Sequence, residues 1–122
     1  MKITVLGCGR WGSFITWYLS SYGHNVTEWG REDGKSYQEL SLNRKNKYVN
    51  LNENVKLKSN LKNAVESADL IVISVLSQSL RQLLNEVMQY LKADTPILLC
   101  MIGVETYTGK RLTEVAIECG VN

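Results

Sequence analysis

Glycines at positions 7, 9 and 12 follow directly on the apolar run Lys2-Ile3-Thr4-Val5-Leu6, and a buried strand that stops in this spacing is built to hold a pyrophosphate. Gly7 lets the chain turn sharply out of the strand, Gly9 lets the backbone approach the phosphates with no Cβ in the way, and Gly12 lets the following helix pack close to the sheet. The phosphates then rest on the N-terminus of that helix, where N–H groups without intrahelical acceptors and the helix dipole favour negative charge. Cys8 stands near the same N–H groups, which would lower a thiol pKa; its other reading is a small residue tolerated between two glycines. A second group, Gly30-Arg31-Glu32-Asp33, comes about twenty residues further on, where a carboxylate would accept from a ribose 2′-OH and an arginine would accommodate a 2′-phosphate. Arg31 comes first and its planar guanidinium can also stack on adenine, so it is expected at the adenosine end. Glu32 and Asp33 are read either as ribose contacts or as a solvated turn.

These groups need a β-α-β unit to hold them, and the hydrophobic pattern supplies one. Apolar residues at 14, 15, 18 and 19 cluster as on a helix, Gly23 offers a left-handed C-cap after Ser21-Tyr22, and Asn25 to Trp29 reads as a second parallel strand. Residues 34 to 60 are polar and less patterned, with a short helix expected around Tyr37 to Leu42 and a short strand, wet on one face, at Val55 to Lys58. Asn60 is expected to cap a short helix running through Ser67. The continuous apolar run Leu70 to Val75 marks a strand buried on both faces of a parallel sheet. Ser77 then opens a helix with an apolar stripe at 80, 83, 84, 87, 88 and 91. Ile97 to Met101 is the last strand, with Pro96 at its start. A final helix near Lys110 to Glu118 turns Leu112, Val115 and Ala116 inward and ends at Gly120. The alternation predicts an α/β fold: a Rossmann-like doubly wound parallel sheet in three α/β/α layers, strand order 3-2-1-4-5. Its ligand crevice would lie at the C-terminal ends of strands one and four.

Composition narrows the function classes. At 122 residues with a net charge of +2 the chain is one domain, and so small a charge selects no partner. Arg44, Lys45 and Lys47 beside Tyr48 form too short a basic cluster to argue for nucleic acid; a solvated connection explains them. Cys8, Cys100 and Cys119 are odd in number and lack paired short spacings, which argues against a zinc or thiol redox site and for a reducing compartment. No apolar run approaches bilayer-spanning length, and the first strand begins at the second residue, so a cytoplasmic protein without a signal peptide is expected. His24, the sole histidine, follows the C-cap glycine at the end of the sheet away from the crevice and is read as a turn residue rather than a general acid or base. Trp11 is expected to touch the ligand, Trp17 and Trp29 to pack.

With these motifs placed, the chain resembles the N-terminal, NAD-binding domain of NAD(P)-dependent glycerol-3-phosphate dehydrogenase over nearly all its length. The resemblance rests on Gly7-Cys8-Gly9-Arg10-Trp11-Gly12-Ser13, on Gly23-His24-Asn25-Val26 with Trp29-Gly30-Arg31, on Asn43 to Val49, and on Gly103-Val104-Glu105 with Thr108-Gly109-Lys110. It implies NAD or NADP as cofactor and a parent enzyme that interconverts dihydroxyacetone phosphate and sn-glycerol 3-phosphate, usually to supply phospholipid backbones. Gly7, Cys8, Gly9, Arg10, Trp11 and Gly12 would then form the pyrophosphate loop. Arg31, with Glu32 beside it, would meet the adenosine end, and Val75 and Leu76 would run beside the nicotinamide. Two positions depart from the family: a proline is replaced by Leu76, and the lysine that contacts substrate is replaced by Ile102. The resemblance places the remaining catalytic residues in a helical C-terminal domain, so residues 1–122 are expected to be the cofactor domain of a longer enzyme, binding cofactor but catalytically inactive alone and prone to self-association. A Rossmann domain of another hydroxy-acid or sugar-phosphate dehydrogenase, or a non-catalytic nucleotide sensor, are the alternatives.

Overall fold

The structure, a computed structural model, describes residues 1–121. Five parallel strands form one sheet in the order β3-β2-β1-β4-β5: β1 (Lys2–Leu6), β2 (Asn25–Trp29), β3 (Lys56–Lys58), β4 (Leu70–Ile73) and β5 (Ile97–Leu99). The connections carry α1 (Arg10–Ser21), α2 (Lys35–Asn43), α3 (Leu61–Val65), α4 (Leu80–Val87) and α5 (Leu112–Glu118). In register, Leu6 lies opposite Trp29 on one side and Ile73 on the other, so the three central strands end level with one another. That shared end is where strand order reverses and the chain leaves β1 and β4 toward opposite faces, which opens the crevice.

Alternation along the strands divides the core. Ile3, Val5, Val26 and Val72 face α1, while Leu6, Ile71 and Ile73 face the larger cluster with Ala64 and Val65 of α3, Leu80, Leu83, Leu84 and Val87 of α4, and Leu112, Val115 and Ala116 of α5. A third cluster of Cys8, Leu40, Leu51 and Val55 anchors α2. Asn60 caps α3 as expected, its Oδ1 accepting from the Asn63 N–H at 3.0 Å. Gly23, at φ +89, ends α1, with the His24 N–H returning to the Leu19 carbonyl and the Gly23 N–H to that of Ser20.

Several boundaries differ from the expectation by a residue or more, four of them for a visible reason. β4 stops at Ile73 rather than Val75, because Ser74 donates the last ladder bond, to the Leu6 carbonyl, and the chain then turns into the crevice. β5 stops at Leu99 rather than Met101 because its partner β4 has ended; the Cys100 N–H to Ile73 carbonyl bond is the last between them. Ser77 does not cap α4: residues Ser77–Ser79 form a single 3-10 turn without a side-chain cap, and α4 follows it. α5 begins at Leu112 rather than Lys110, since the Lys110 carbonyl is taken by the Glu105 N–H, and Glu114 reaches back to the Arg111 N–H to start the helix.

The inner face of α1 differs more. Gly12, Ser13, Thr16 and Ser20 are its buried residues, and the apolar cluster splits: Ile15 and Leu19 are half-buried against the sheet, whereas Phe14 and Tyr18 are exposed. Close approach decides this, because a Cβ on Gly12 would come 2.4 Å from the Gly7 carbonyl oxygen, and at so short a helix–sheet distance small residues fit where aromatics do not. The hydroxyls bond within the helix, Thr16 Oγ1 donating to the Gly12 carbonyl at 2.8 Å and Ser20 Oγ to that of Trp17 at 3.0 Å. Trp17, expected in packing, is exposed in an aromatic series with Phe14, Tyr18 and Tyr22, while Trp29 is buried as expected and donates its indole N–H to the Ser59 carbonyl.

Candidate functional site

A crevice of about 530 Å³ opens at the C-terminal ends of β1, β2 and β4. One wall is Gly7 to Trp11, a second is Trp29 to Arg31 with Gly34 to Tyr37, and a third is Ser74 to Leu76 with Ser79 and Leu83. The glycine loop forms its floor. Gly7 is held by its N–H to the Trp29 carbonyl at 2.9 Å and has φ +134; a Cβ there would meet the Ser74 carbonyl oxygen at 2.1 Å. Gly12 closes on Gly7 from the helix side. Gly9 is different: it has extended backbone, φ −79 and ψ −164, and among the described residues nothing lies within 4 Å of where its Cβ would be. Its carbonyl accepts the first helical bond, from Ser13, and among the described residues no side chain caps the N–H groups of Arg10, Trp11 and Gly12. An open backbone cradle at an uncapped helix N-terminus fits a pyrophosphate.

Of the residues singled out in the sequence, Gly7, Cys8, Gly9, Arg10, Trp11, Arg31, Val75 and Leu76 line this crevice. Gly12 lies behind the loop, and Glu32 sits with Asp33, Gln38 and Ser59 on a neighbouring hollow. The turn geometry explains Glu32: the Gly34 N–H bonds the Arg31 carbonyl at 2.9 Å, so Glu32 and Asp33 occupy the outer corners. Arg31 itself stands over the Trp29 ring, 5.5 Å from its centroid, with one guanidinium nitrogen 3.9 Å from Glu86. Arg10 stacks over Trp11 and, from the other side of the loop, over Tyr48 at 5.8 Å.

Cys8 is a buried thiol. Its sulfur is packed against Gly30 and Tyr37, and burial together with the nearby Glu28 carboxylate drives its pKa up. These surroundings favour the small-residue reading. Among the described residues no group of histidine, cysteine and carboxylate side chains could hold a metal ion, and no helix is long and apolar enough to cross a membrane.

Several residues were missed by sequence reasoning. Lys35, Ser36 and Tyr37 enter the crevice because the turn at 31–34 folds the start of α2 back over it. Glu28 lies fully buried beneath the loop, and burial pushes its carboxyl up to about 8 against the opposing hydrogen bond from Ser13. Ser13 Oγ lies 3.1 Å from Glu28 Oε2 and 3.3 Å from the Cys8 carbonyl, and it accepts from Asn46 Nδ2 at 3.1 Å. Glu28 Oε1 has no partner among the described residues. The signal was present: Glu28 shares a strand face with Val26, where only an apolar residue is expected. Arg44, read as a solvated cation, instead donates to the carbonyls of Asn52 and Val55 at 2.8 and 2.9 Å and fastens the loop before β3.

Ile102, just beyond β5 and outside the residues that line the crevice, is 97% exposed. The loop after it is fixed by Glu105, which accepts two hydrogen bonds from Arg81 and one from Thr108 and is held at a pKa of about 2 by them. Gln78 bonds both the Val104 carbonyl and the Thr106 N–H. Lys110, the next lysine along the chain, is tied to Glu118.

The family model described as NAD-dependent glycerol-3-phosphate dehydrogenase N-terminus matches residues 2–120. The chain belongs to this family. It is 32% identical over 120 residues to the glycerol-3-phosphate dehydrogenase [NAD(P)+] of Thermoanaerobacter sp. (strain X514), and 34% identical over 122 residues to that of Fusobacterium nucleatum. Each alignment covers 97% of this chain and 36% of the relative, so the chain spans about a third of the length of these curated relatives. Its fold superposes on a glycerol-3-phosphate dehydrogenase from Coxiella burnetii with a TM-score of 0.86 at 24% identity, over 96% of this chain and 37% of that one. The Plasmodium falciparum enzyme gives 0.83 at 20%, over 99% and 38%. The family match places the domain with glycerol-3-phosphate dehydrogenases rather than with the alternative of another hydroxy-acid or sugar-phosphate dehydrogenase.

Proposed function

We propose that the chain binds NAD(H) or NADP(H) across the crevice and serves an enzyme that interconverts dihydroxyacetone phosphate and sn-glycerol 3-phosphate. The observation that carries this reading is the division of labour among the glycines. Gly7 and Gly12 are used to hold the loop against the sheet, while Gly9 faces open space at the uncapped start of α1. When bound, the nicotinamide ring supplies or accepts the hydride. The N–H groups of Arg10 to Gly12 take the pyrophosphate, Arg31 meets the adenosine, and Val75 and Leu76 form the wall beside the other nucleoside.

Hydride transfer also needs a substrate held at about 3 to 3.5 Å from the ring. The loop after β5 offers Ile102, which can neither attract a phosphate nor hydrogen-bond its oxygens. The 122-residue chain alone is therefore expected to bind cofactor, its melting temperature rising with the logarithm of cofactor concentration above Kd, and to leave NADPH unoxidised when dihydroxyacetone phosphate is added. Absence of any thermal shift with either cofactor counts against the binding reading; substrate-dependent NADPH oxidation counts against the second half. Ile102 also favours a second reading, a non-catalytic dinucleotide sensor. Finding a lysine-bearing catalytic domain in the parent protein would argue against that one.

The open edge of β5, with Leu98 on that strand and Ile117 on α5 both exposed, leads us to expect self-association. Sedimentation velocity at rising concentration should show the weight-average mass increase, and a constant monomer mass would dispose of the idea.

A further inference from the structure

We propose that Glu28, Ser13 and Asn46 form a buried proton switch beneath the glycine loop, which holds the loop in its dinucleotide-binding shape only while Glu28 carries a proton. The inference rests on the cofactor reading above and adds a regulation of that same site. It starts from the hydrogen-bonding capacity of Ser13, whose hydroxyl has one proton to donate and two lone pairs with which to accept. Three partners surround its Oγ: Asn46 Nδ2 at 3.1 Å, Glu28 Oε2 at 3.1 Å and the Cys8 carbonyl at 3.3 Å. The Asn46 amide is fixed in orientation, because its Oδ1 accepts from the N–H groups of Tyr48 and Val49 at 2.9 and 3.0 Å, and its Nδ2 therefore donates to Ser13. The Cys8 carbonyl only accepts. One arrangement satisfies all three contacts at once: a protonated Glu28 donates to Ser13, and Ser13 donates to Cys8.

The surroundings of Glu28 agree with this arrangement. Its Oε1 has no partner among the described residues, which is tolerable on the carbonyl oxygen of a neutral acid and far costlier on a carboxylate. Its register neighbours are Val5 on β1 and Leu57 on β3, α1 presents Ser13, and the loop presents Cys8, whose thiol burial pushes up. Among the described residues no lysine or arginine lies within salt-bridge distance of it. Burial raises the Glu28 carboxyl to about 8. When that proton leaves, the carboxylate can only accept, and Ser13 turns its single proton toward it and away from the Cys8 carbonyl. The loop then loses its tether to α1 at the residue before Gly9, and a negative charge appears beneath the place of the pyrophosphate. Both changes oppose dinucleotide binding, so affinity falls as pH rises through the range in which Glu28 ionises.

The test has two readouts, each taken on wild type and on Glu28→Gln with folding checked by circular dichroism at the same pH. The first is the amide 15N shift of Gly9 in the free chain, which reports on the peptide unit containing the Cys8 carbonyl. It is expected to titrate with a midpoint near pH 8 in wild type and to stay flat through that range in the variant. The second is calorimetric titration with NADH, whose pyrophosphate stays ionised throughout. At pH 9 about a tenth of the folded wild-type chain retains the proton, so affinity is expected to fall about tenfold from pH 6.5. Glu28→Gln, whose amide donates as the protonated acid does, is expected to keep its own low-pH affinity to within twofold. A Gly9 shift that does not titrate overturns the switch and leaves the cofactor site standing. So does a shift that titrates while NADH affinity holds constant, or a fall in affinity that persists in Glu28→Gln. If the folded chain binds no NADH at either pH, the cofactor reading fails and this inference falls with it.

Discussion

The chain carrying Gly9→Asp is expected to melt at or above the wild-type temperature and to lose dinucleotide binding by at least a hundredfold, whereas Gly7→Ala is expected to lose its cooperative thermal transition. The two glycines are separated by one residue, yet their surroundings are opposite. A Cβ on Gly7 would lie 2.1 Å from the carbonyl oxygen of Ser74, a backbone atom fixed at the end of β4, and the residue has φ +134. Neither the neighbour nor the dihedral can yield without parting β1 from β4, and several kcal/mol lost there consumes much of the roughly 5 to 15 kcal/mol by which a domain is stable. Gly9 has extended backbone with open space over its Cβ, and it is the N-cap of α1. Aspartate is a preferred N-cap, so the substitution is neutral or favourable for folding. It also places a negative carboxylate where the pyrophosphate has to lie. Circular-dichroism melts and cofactor titrations of the two variants check both halves. A Gly9→Asp protein that binds like wild type contradicts the site, and a Gly7→Ala protein that melts like wild type contradicts the packing.

Glu28→Gln should flatten the pH dependence of stability and make the protein more stable than wild type at pH 8. Glu28 is fully buried, and its carboxyl is raised to about 8, chiefly by desolvation. Below the ordinary glutamate range both folded and unfolded chains hold the proton, and nothing is lost. Between there and pH 8 the unfolded chain releases the proton while the folded chain keeps it. Stability then falls by up to about 1.4 kcal/mol per pH unit, and by as much as about 5 kcal/mol in all. Above pH 8 the folded chain ionises too and the slope vanishes. Glutamine keeps the shape and the acceptor for Ser13 but cannot ionise, so urea unfolding at pH 5 and pH 8 should show a smaller difference in the variant by at least about 2 kcal/mol. Equal differences in the two proteins would show that Glu28 is not held neutral. The site shares in this effect, because Ser13 joins Glu28 both to the Cys8 carbonyl in the glycine loop and to Asn46.

The parts of the fold that read directly from the sequence are those set by properties of the chain itself. The glycine spacing, the apolar run into Leu6, the cap at Gly23 and the stripe on α4 each fix a local geometry, and the strand order followed from their alternation. Features set by distances between elements were less legible. The helix α1 buries Gly12, Ser13, Thr16 and Ser20 because it lies close to the sheet, so its aromatic residues, the strongest hydrophobic signal in the segment, mark its outer side. The ends of β4 and β5 were set by each other and not by their own apolar runs, which continue past the last ladder bond. In the site, the loop residues were legible, but Lys35 and Ser36 were not. A β-turn decides which side chains face the crevice, and residues 31–36, none of them apolar apart from Gly34, carry no periodicity to show it.

The most direct test of the account is to map the cofactor onto the backbone, by following amide 1H and 15N chemical shifts as NADPH is added to the labelled chain. The account predicts saturable shifts centred on Gly7 to Gly12, with further changes at Arg31, Lys35 and Val75, and little change at His24 or in β3. A folded chain whose spectrum does not move, or moves only away from the glycine loop, would contradict it.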